Sequence, residues 1–226
     1  MRIKIVGAGF YGCHIALDLS DAGHDVVLFE KNTDIMLEAA LKNQHRLHRG
    51  FHYPRCSLTA AQAATTFEDF KSQYPTACIR VDNNLYLNHR KSNVTRDQFI
   101  EAMKKNNTVG TDVPMPVEIL NPDMFDGCWE SNEESLNLNI LRELIKNKIK
   151  QSSIDLRLDC VGDFELNDYD YVLNCTYLEP TIGKELKYEV CMLVCAEGFL
   201  SSAITIMDGD FVSVYPAGAI NHWTIS

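Results

Sequence analysis

The sequence predicts an α/β chain folded as two discontinuous domains, and three observations carry that prediction. Residues 1–31 read as strand, glycine-punctuated turn, helix and strand. Beyond Pro75 the apolar period changes from helical to alternating, and near residue 140 a helix–strand pattern resumes. The tail after residue 180 is β-rich.

Arg2 to Val6 form a short apolar strand. Gly7, Gly9 and Gly12 follow in the order G-x-G-x-x-G. An amphipathic helix comes next, with Phe10, Ile15, Ala16 and Leu19 expected on its buried face and Gly23 stopping it. Val26 to Phe29 make a second strand that ends in Glu30. Each part of this βαβ unit has a job in holding a dinucleotide. Gly7 permits the tight turn, Gly9 lets the backbone approach a pyrophosphate, and Gly12 lets helix and strand pack closely. The helix N-terminus offers N–H groups and a partial positive charge to the phosphates. Phe10 and Tyr11 in the turn, and Lys31 beside the acid, join the candidate contacts. Glu30 stands where a carboxylate accepts hydrogen bonds from a ribose, which favours FAD or NAD over a 2′-phosphorylated cofactor.

In chain order, Asn32 or Thr33 is expected to cap a short helix from Asp34 to about Lys42. Residues 43–57 then gather His45, His48, His52, Arg46, Arg49, Arg55, Gly50 and Tyr53 into one run. Such a run makes a poor helix or strand, and its mix of cations and aromatics suits a loop over an anionic, aromatic cofactor. A helix follows from Ser57 to Pro75, with Ala63, Phe67, Phe70 and Tyr74 as its core stripe. Cys78–Val81 and Leu85–Asn88 read as a hairpin around Asp82-Asn83-Asn84. Thr95-Arg-Asp-Gln98 is a capping box opening a helix to about Lys105, with Phe99, Ile100 and Met103 inward. Residues 107–135, with Pro114, Pro116 and Pro122, read as loop. Ile140, Leu141, Leu144, Ile145 and Ile149 mark a further helix, and strands are expected at 154–160 and 170–176. In the tail, 188–196 and 203–207 read as strands. Asp208-Gly209 is a hairpin signal before a strand at 211–215. The expected domains are residues 1–75 with 140–180, the nucleotide-binding part, and 76–139 with 181–226, the substrate part.

The formal net charge of −10 argues against nucleic acid or an anionic membrane as partner. No stretch is apolar for long enough to span a bilayer. The apolar start runs straight into the glycine turn, so no signal peptide is read. Eight cysteines without a C-x-x-C pair imply reduced, mostly buried thiols in a cytoplasmic protein. No spacing of His and Cys suits a metal, and no nucleophile motif is present. The oligomeric state is not legible.

Three segments resemble the D-amino-acid oxidase superfamily of FAD-dependent oxidoreductases, its L-2-hydroxyglutarate-oxidising members above all. The first is Ile3 to Lys31. The second is Asn43 with Leu47-His-Arg-Gly-Phe-His-Tyr53 and Ser57-Leu58, similar to the family's N-x-x-x-x-H-x-G-x-x-Y…S-L. The third is Asp170 to Thr176, similar to D-x-V-h-N-C-T-G (h apolar), with Tyr177 where the family has glycine. The resemblance implies a Rossmann-like FAD-binding domain with a β-rich (α+β) substrate domain. It implies noncovalent FAD, with His48 and Gly50 near the isoalloxazine and Asn43, Gln44 and Thr176 along the cofactor. It also implies hydride transfer to the flavin from a carbon alpha to an amine or hydroxyl of a small-molecule substrate. His48 and His52 are candidate bases. Among the arginines of the run, Arg49 is the candidate carboxylate clamp. Tyr86 and Tyr215 are candidates for a pocket wall. Family members usually return to the cofactor domain once more than this sequence does, so a fragment or short form with a weakened flavin site is expected. A catalytically impaired nucleotide-binding remnant and an NAD-dependent dehydrogenase are the alternatives.

Overall fold

The computed structural model describes residues 1–108, 110–116, 121–177, 191–198, 200–217 and 222–226. Its elements, in chain order, are β1 (Arg2–Val6), α1 (Phe10–Asp21), β2 (Asp25–Phe29), β3 (Arg46–Leu47), α2 (Ser57–Gln73), β4 (Cys78–Arg80), β5 (Asn84–His89), α3 (Arg96–Lys105) and β6 (Thr111–Asp112). Then come β7 (Phe125–Glu130), β8 (Glu134–Leu136), α4 (Leu138–Gln151), β9 (Asp155–Arg157), β10 (Tyr171–Asn174), β11 (Val194–Glu197), β12 (Ala203–Met207), β13 (Ser213–Pro216) and β14 (His222–Ile225). The chain divides into two units, Met1–Asn43 with Leu138–Val190, and Gln44–Asn137 with Cys191–Ser226. The first division therefore falls after Asn43 and not at residue 75. The reason is pairing: β3 joins β8, so the histidine–arginine run belongs to the second unit.

The first unit is built on a parallel sheet in the order β10-β1-β2-β9. Ile3, Ile5, Val26, Val27 and Leu28 are buried, as strands covered on both faces require. α1 and α4 pack against each other, α4 burying Leu138, Leu141, Ile145 and Ile149 at helical spacing. The buried face of α1 is Gly12, Cys13, Ala16 and Leu17, so of the expected face only Ala16 is fully buried. Asp34–Lys42 forms turns and not the expected helix. Met36 takes a left-handed φ of 59° and donates its N–H to the Ala8 carbonyl at 2.9 Å, which breaks any helical ladder there.

In the second unit the larger sheet runs β11-β14-β13-β12-β5-β7-β6, and a small sheet runs β3-β8-β4. The hairpin expected from residues 78–88 does not form. β4 pairs with β8, while both edges of β5 are taken by β12 and β7. Asn83, at φ 51°, turns the chain from one sheet to the other. The expected loop at 107–135 contains β6, β7 and β8. The capping box forms as read: Thr95 accepts from the Gln98 N–H, and the Gln98 side chain accepts from the Thr95 N–H. Phe99 and Met103 of α3 pack with Phe51, Tyr86, Val94, Trp129 and Met207. Burying each such side chain is worth about 1.5–3 kcal/mol. The tail strand begins at Val194; residues 188–190 of that reading lie outside the described residues. β12 and β13 pair antiparallel across Asp208-Gly209. β14 was not anticipated from the sequence.

Candidate active site

In the first unit the strand order reverses between β1 and β10, the place where open α/β sheets take ligands. β1 leads into Gly7, whose φ of 103° strains any other residue, and a Cβ there would stand 2.6 Å from the Cys175 carbonyl oxygen. A Cβ on Gly12 would stand 1.9 Å from the Gly7 carbonyl oxygen. Gly9 differs from both: a Cβ there would meet nothing within 4 Å. It is the N-cap of α1, with no side-chain cap. Two glycines of the turn are thus demanded by the chain's own packing. The third faces open space in front of a helix N-terminus, where N–H groups lack intrahelical partners. That cradle fits a pyrophosphate.

Glu30 is buried beneath the turn. Its Oε2 accepts from the Ala8 N–H at 2.8 Å. Its Oε1 accepts from the Asn32 N–H at 3.0 Å and from Asn32 Nδ2 at 2.8 Å. A carboxylate has about four acceptor sites, so about one remains for a ribose hydroxyl. Phe10 stacks on His14 with ring centroids 5.6 Å apart. Tyr11 and Lys31 are exposed. Asn43 donates to the Ala39 carbonyl at 3.0 Å. The Thr176 N–H and hydroxyl both donate to Asn174 Oδ1, at 3.0 and 2.7 Å. Tyr177, exposed, sits at φ 77°, the left-handed conformation that explains glycine at this point in the related motif.

The second unit gathers a polar cluster around β3 and the residues after it. Glu133 lies just before β8 and is fully buried. Its Oε1 accepts the Arg49 backbone N–H at 2.7 Å, and its Oε2 accepts the Tyr86 hydroxyl at 2.5 Å. His48 Nδ1 stands 3.4 Å from the same Oε2. Desolvation pushes the Glu133 carboxyl up, but His48, Tyr86 and the Arg49 N–H outweigh it and hold the group below the usual carboxylate range. Burial, then Glu133, raises the Tyr86 phenol far above its ordinary value. The His48 ring lies 5.1 Å from that of His52 and 5.6 Å from that of Tyr53. His52 is lowered to about 4, by desolvation first and then by His48 and Arg46.

Arg46 lies on β3 with its guanidinium 4.1 Å from the centroid of the Tyr215 ring. Nη1 donates to Thr205 Oγ1 at 2.6 Å. Its Nε and Nη2 are buried with no hydrogen-bond partner. Tyr215 is itself fully buried and donates to the Glu134 carbonyl at 3.2 Å.

Arg49, the arginine singled out from the sequence, pairs with Glu68 at 3.2 Å and covers the Phe67 ring. Its guanidinium serves α2, and Arg46 is the arginine of the run whose unspent donors are buried. Gly50 takes φ 107°, and a Cβ there would lie 2.9 Å from the Ala60 carbonyl oxygen, so packing against α2 already demands glycine. Gln44 bonds to Ser213 and Thr224 within the second unit. Glu133 escaped the sequence reading, because a Glu-Glu pair between Asn132 and Ser135 reads as a solvated turn. The cysteines are less buried than expected: Cys13 and Cys128 are buried, but Cys56, Cys191 and Cys195 are exposed, and all eight are free thiols. No described helix is long and apolar enough to cross a membrane.

Comparison with known proteins gives a consistent picture. A family model described as DAO, FAD dependent oxidoreductase, matches residues 2–132, more than half of the chain. The FAD-dependent monooxygenase FPY4 of Fusarium mangiferae is 30% identical over 99% of this chain, which spans 63% of that relative's length. Among solved structures, L-proline dehydrogenase from P. horikoshii superposes with a TM-score of 0.68 at 13% identity, covering 99% of this chain and 68% of its own. L-alpha-glycerophosphate oxidase from Mycoplasma pneumoniae, with FAD bound, gives 0.68 at 15% identity, covering 99% and 70%. At these identities the two structures speak for the fold.

Proposed function

The chain belongs to the DAO family of FAD-dependent oxidoreductases, and from that premise we propose that it oxidises the carbon alpha to the carboxylate of a small 2-hydroxy or amino acid. Its family sets aside the NAD-dependent alternative. FAD, when bound, supplies an acceptor for the two electrons that leave the α-carbon as hydride. Gly7, Gly9 and Gly12 with the start of α1 would hold the pyrophosphate. The remaining acceptor site of Glu30 would hold an adenosine ribose hydroxyl.

The observation that carries the substrate reading is Arg46. A guanidinium with one nitrogen anchored on Thr205, its face on Tyr215 and two donors unspent is preorganised for a carboxylate. His48 then takes the proton of the substrate's hydroxyl or amine as the carbonyl or imine forms. His52, held neutral, adds no competing positive charge.

The test is Arg46→Gln, assayed with a carboxylate substrate and its amide analogue. A lost charged hydrogen bond is worth roughly 1.5–3 kcal/mol, so KM for the carboxylate should rise about ten- to a hundredfold. The amide should be little affected. An equal effect on both would remove Arg46 from substrate recognition. Monooxygenation is a second reading, favoured by the name of the Fusarium mangiferae relative. It differs in that the organic substrate alone does not reduce the flavin.

A further inference from the structure

Glu133 has no part in the function described so far, yet it is a carboxylate 1% exposed, held among partners that all belong to one cluster. Its two oxygens face consecutive residues of the run: Oε1 accepts the Arg49 backbone N–H at 2.7 Å, and Oε2 stands 3.4 Å from His48 Nδ1. The Tyr86 hydroxyl, 2.5 Å from Oε2, fixes that oxygen in place. Tyr86 is itself buried, packed against Phe51 at 5.3 Å between centroids. His48 Nδ1 is buried with no other hydrogen-bond partner, so Glu133 Oε2 at 3.4 Å is the acceptor available to it, while a quarter of the side-chain surface, 25%, remains exposed. The ring therefore turns one nitrogen inward to the carboxylate and keeps part of itself accessible.

We infer that Glu133 is a positioning residue: it holds His48 in the tautomer with the proton on Nδ1, so that Nε2 is the nitrogen that exchanges a proton with substrate. The physical reason is that an ionised carboxylate only accepts hydrogen bonds, so the nitrogen facing it must carry a proton. Free imidazole offers no such constraint. In the reaction the proton of the substrate's O–H or N–H bond would go to His48 Nε2 as the adjacent C–H bond breaks, and FAD, when bound, would supply the acceptor for that electron pair. The imidazolium so formed is balanced by Glu133, which stays ionised. A buried carboxylate already held by the Arg49 N–H and the Tyr86 hydroxyl needs little reorganisation when that charge appears. The inference rests on His48 as the proton acceptor, and the experiment keeps the two apart.

The first readout needs neither cofactor nor turnover. Nitrogen-15 NMR of the histidine-labelled chain, with His48 assigned from His48→Gln, reports which ring nitrogen carries the proton. In the unmodified protein with the imidazole neutral, the Nδ1–H form should dominate. In Glu133→Gln the Nε2–H form should gain. Glu133→Asp, which keeps the charge, should restore part of the Nδ1–H population. The second readout is the rate with FAD and substrate: Glu133→Gln should lower kcat roughly 10–100-fold with KM nearly unchanged, as losing an oriented base does. Should Glu133→Gln fail to fold, the unmodified protein still decides, because a bare Nδ1 on His48 overturns the inference. A proton on Nδ1 in Glu133→Gln at the original level also overturns it. If the tautomer follows Glu133 but His48→Gln turns over normally, the positioning stands and His48 as proton acceptor fails.

Discussion

Replacing Gly9 by alanine separates what the glycine turn does for the fold from what it does for the cofactor. The new methyl meets no atom within 4 Å. Gly9 has φ −67° and ψ −179°, which alanine adopts freely. Alanine gains about 0.4–1 kcal/mol from a less disordered unfolded chain. It loses a comparable amount as a poorer N-cap than glycine. The melting temperature should therefore hardly move. FAD binding should suffer, because the methyl occupies the space through which a pyrophosphate approaches the backbone N–H groups. A loss of a hundredfold or more corresponds to roughly 2.8 kcal/mol. Gly12→Ala is the contrast: its methyl would lie 1.9 Å from the Gly7 carbonyl oxygen, a backbone atom that cannot step aside. Overpacking of that kind costs about 1–3 kcal/mol or more. That variant should lose stability as well as binding. Thermal melts and FAD titration followed by flavin fluorescence measure both quantities on each protein. Unchanged FAD affinity in Gly9→Ala would refute the assignment of the turn to the pyrophosphate.

Glu30→Ala should act twice. It strips acceptors from the Ala8 and Asn32 N–H groups, lowering stability by about 1.5–3 kcal/mol. It should also weaken FAD about ten- to a hundredfold; a fall in melting temperature with unchanged affinity would leave Glu30 a purely structural acid. His52 predicts a pH dependence. Its folded value, about 4, lies below its ordinary 6.5, so the unfolded chain binds the proton more readily. Stability attributable to His52 is therefore complete above 6.5 and is lost as pH falls toward 4. The exposed part of the residue screens the effect and keeps it small. Melting temperature against pH should be flatter for His52→Asn across that window; an identical slope would exclude His52 as its source.

The N-terminal βαβ unit was legible because every signal in it is local: apolar strands, glycines at fixed spacing, one helical period and a terminal acid. The capping box at Thr95 was legible for the same reason. The hairpin at 78–88 was misread because the partners of β5 come from residues 125–130 and 203–207, which no local pattern announces. Prolines 114, 116 and 122 hid β6 to β8 in what looked like loop. Of the polar cluster, the histidines stood out by density alone. The arginine with free donors could not be told from its neighbours, since Arg46 and Arg49 differ only in what long-range folding brings beside them: Thr205 and Tyr215 for one, Glu68 for the other. Glu133 carried no signal, because its burial depends on Tyr86 from another strand.

The most direct test of the account is anaerobic mixing of the FAD-loaded protein with a panel of 2-hydroxy acids, amino acids and neutral alcohols, watching the flavin absorbance. The account predicts bleaching that saturates with at least one carboxylate-bearing substrate, weakens in Arg46→Gln, and leaves carbonyl or imine product without oxygen present. A flavin that stays oxidised across the whole panel, yet is reduced by a nicotinamide nucleotide and then inserts oxygen into an organic substrate, would contradict it.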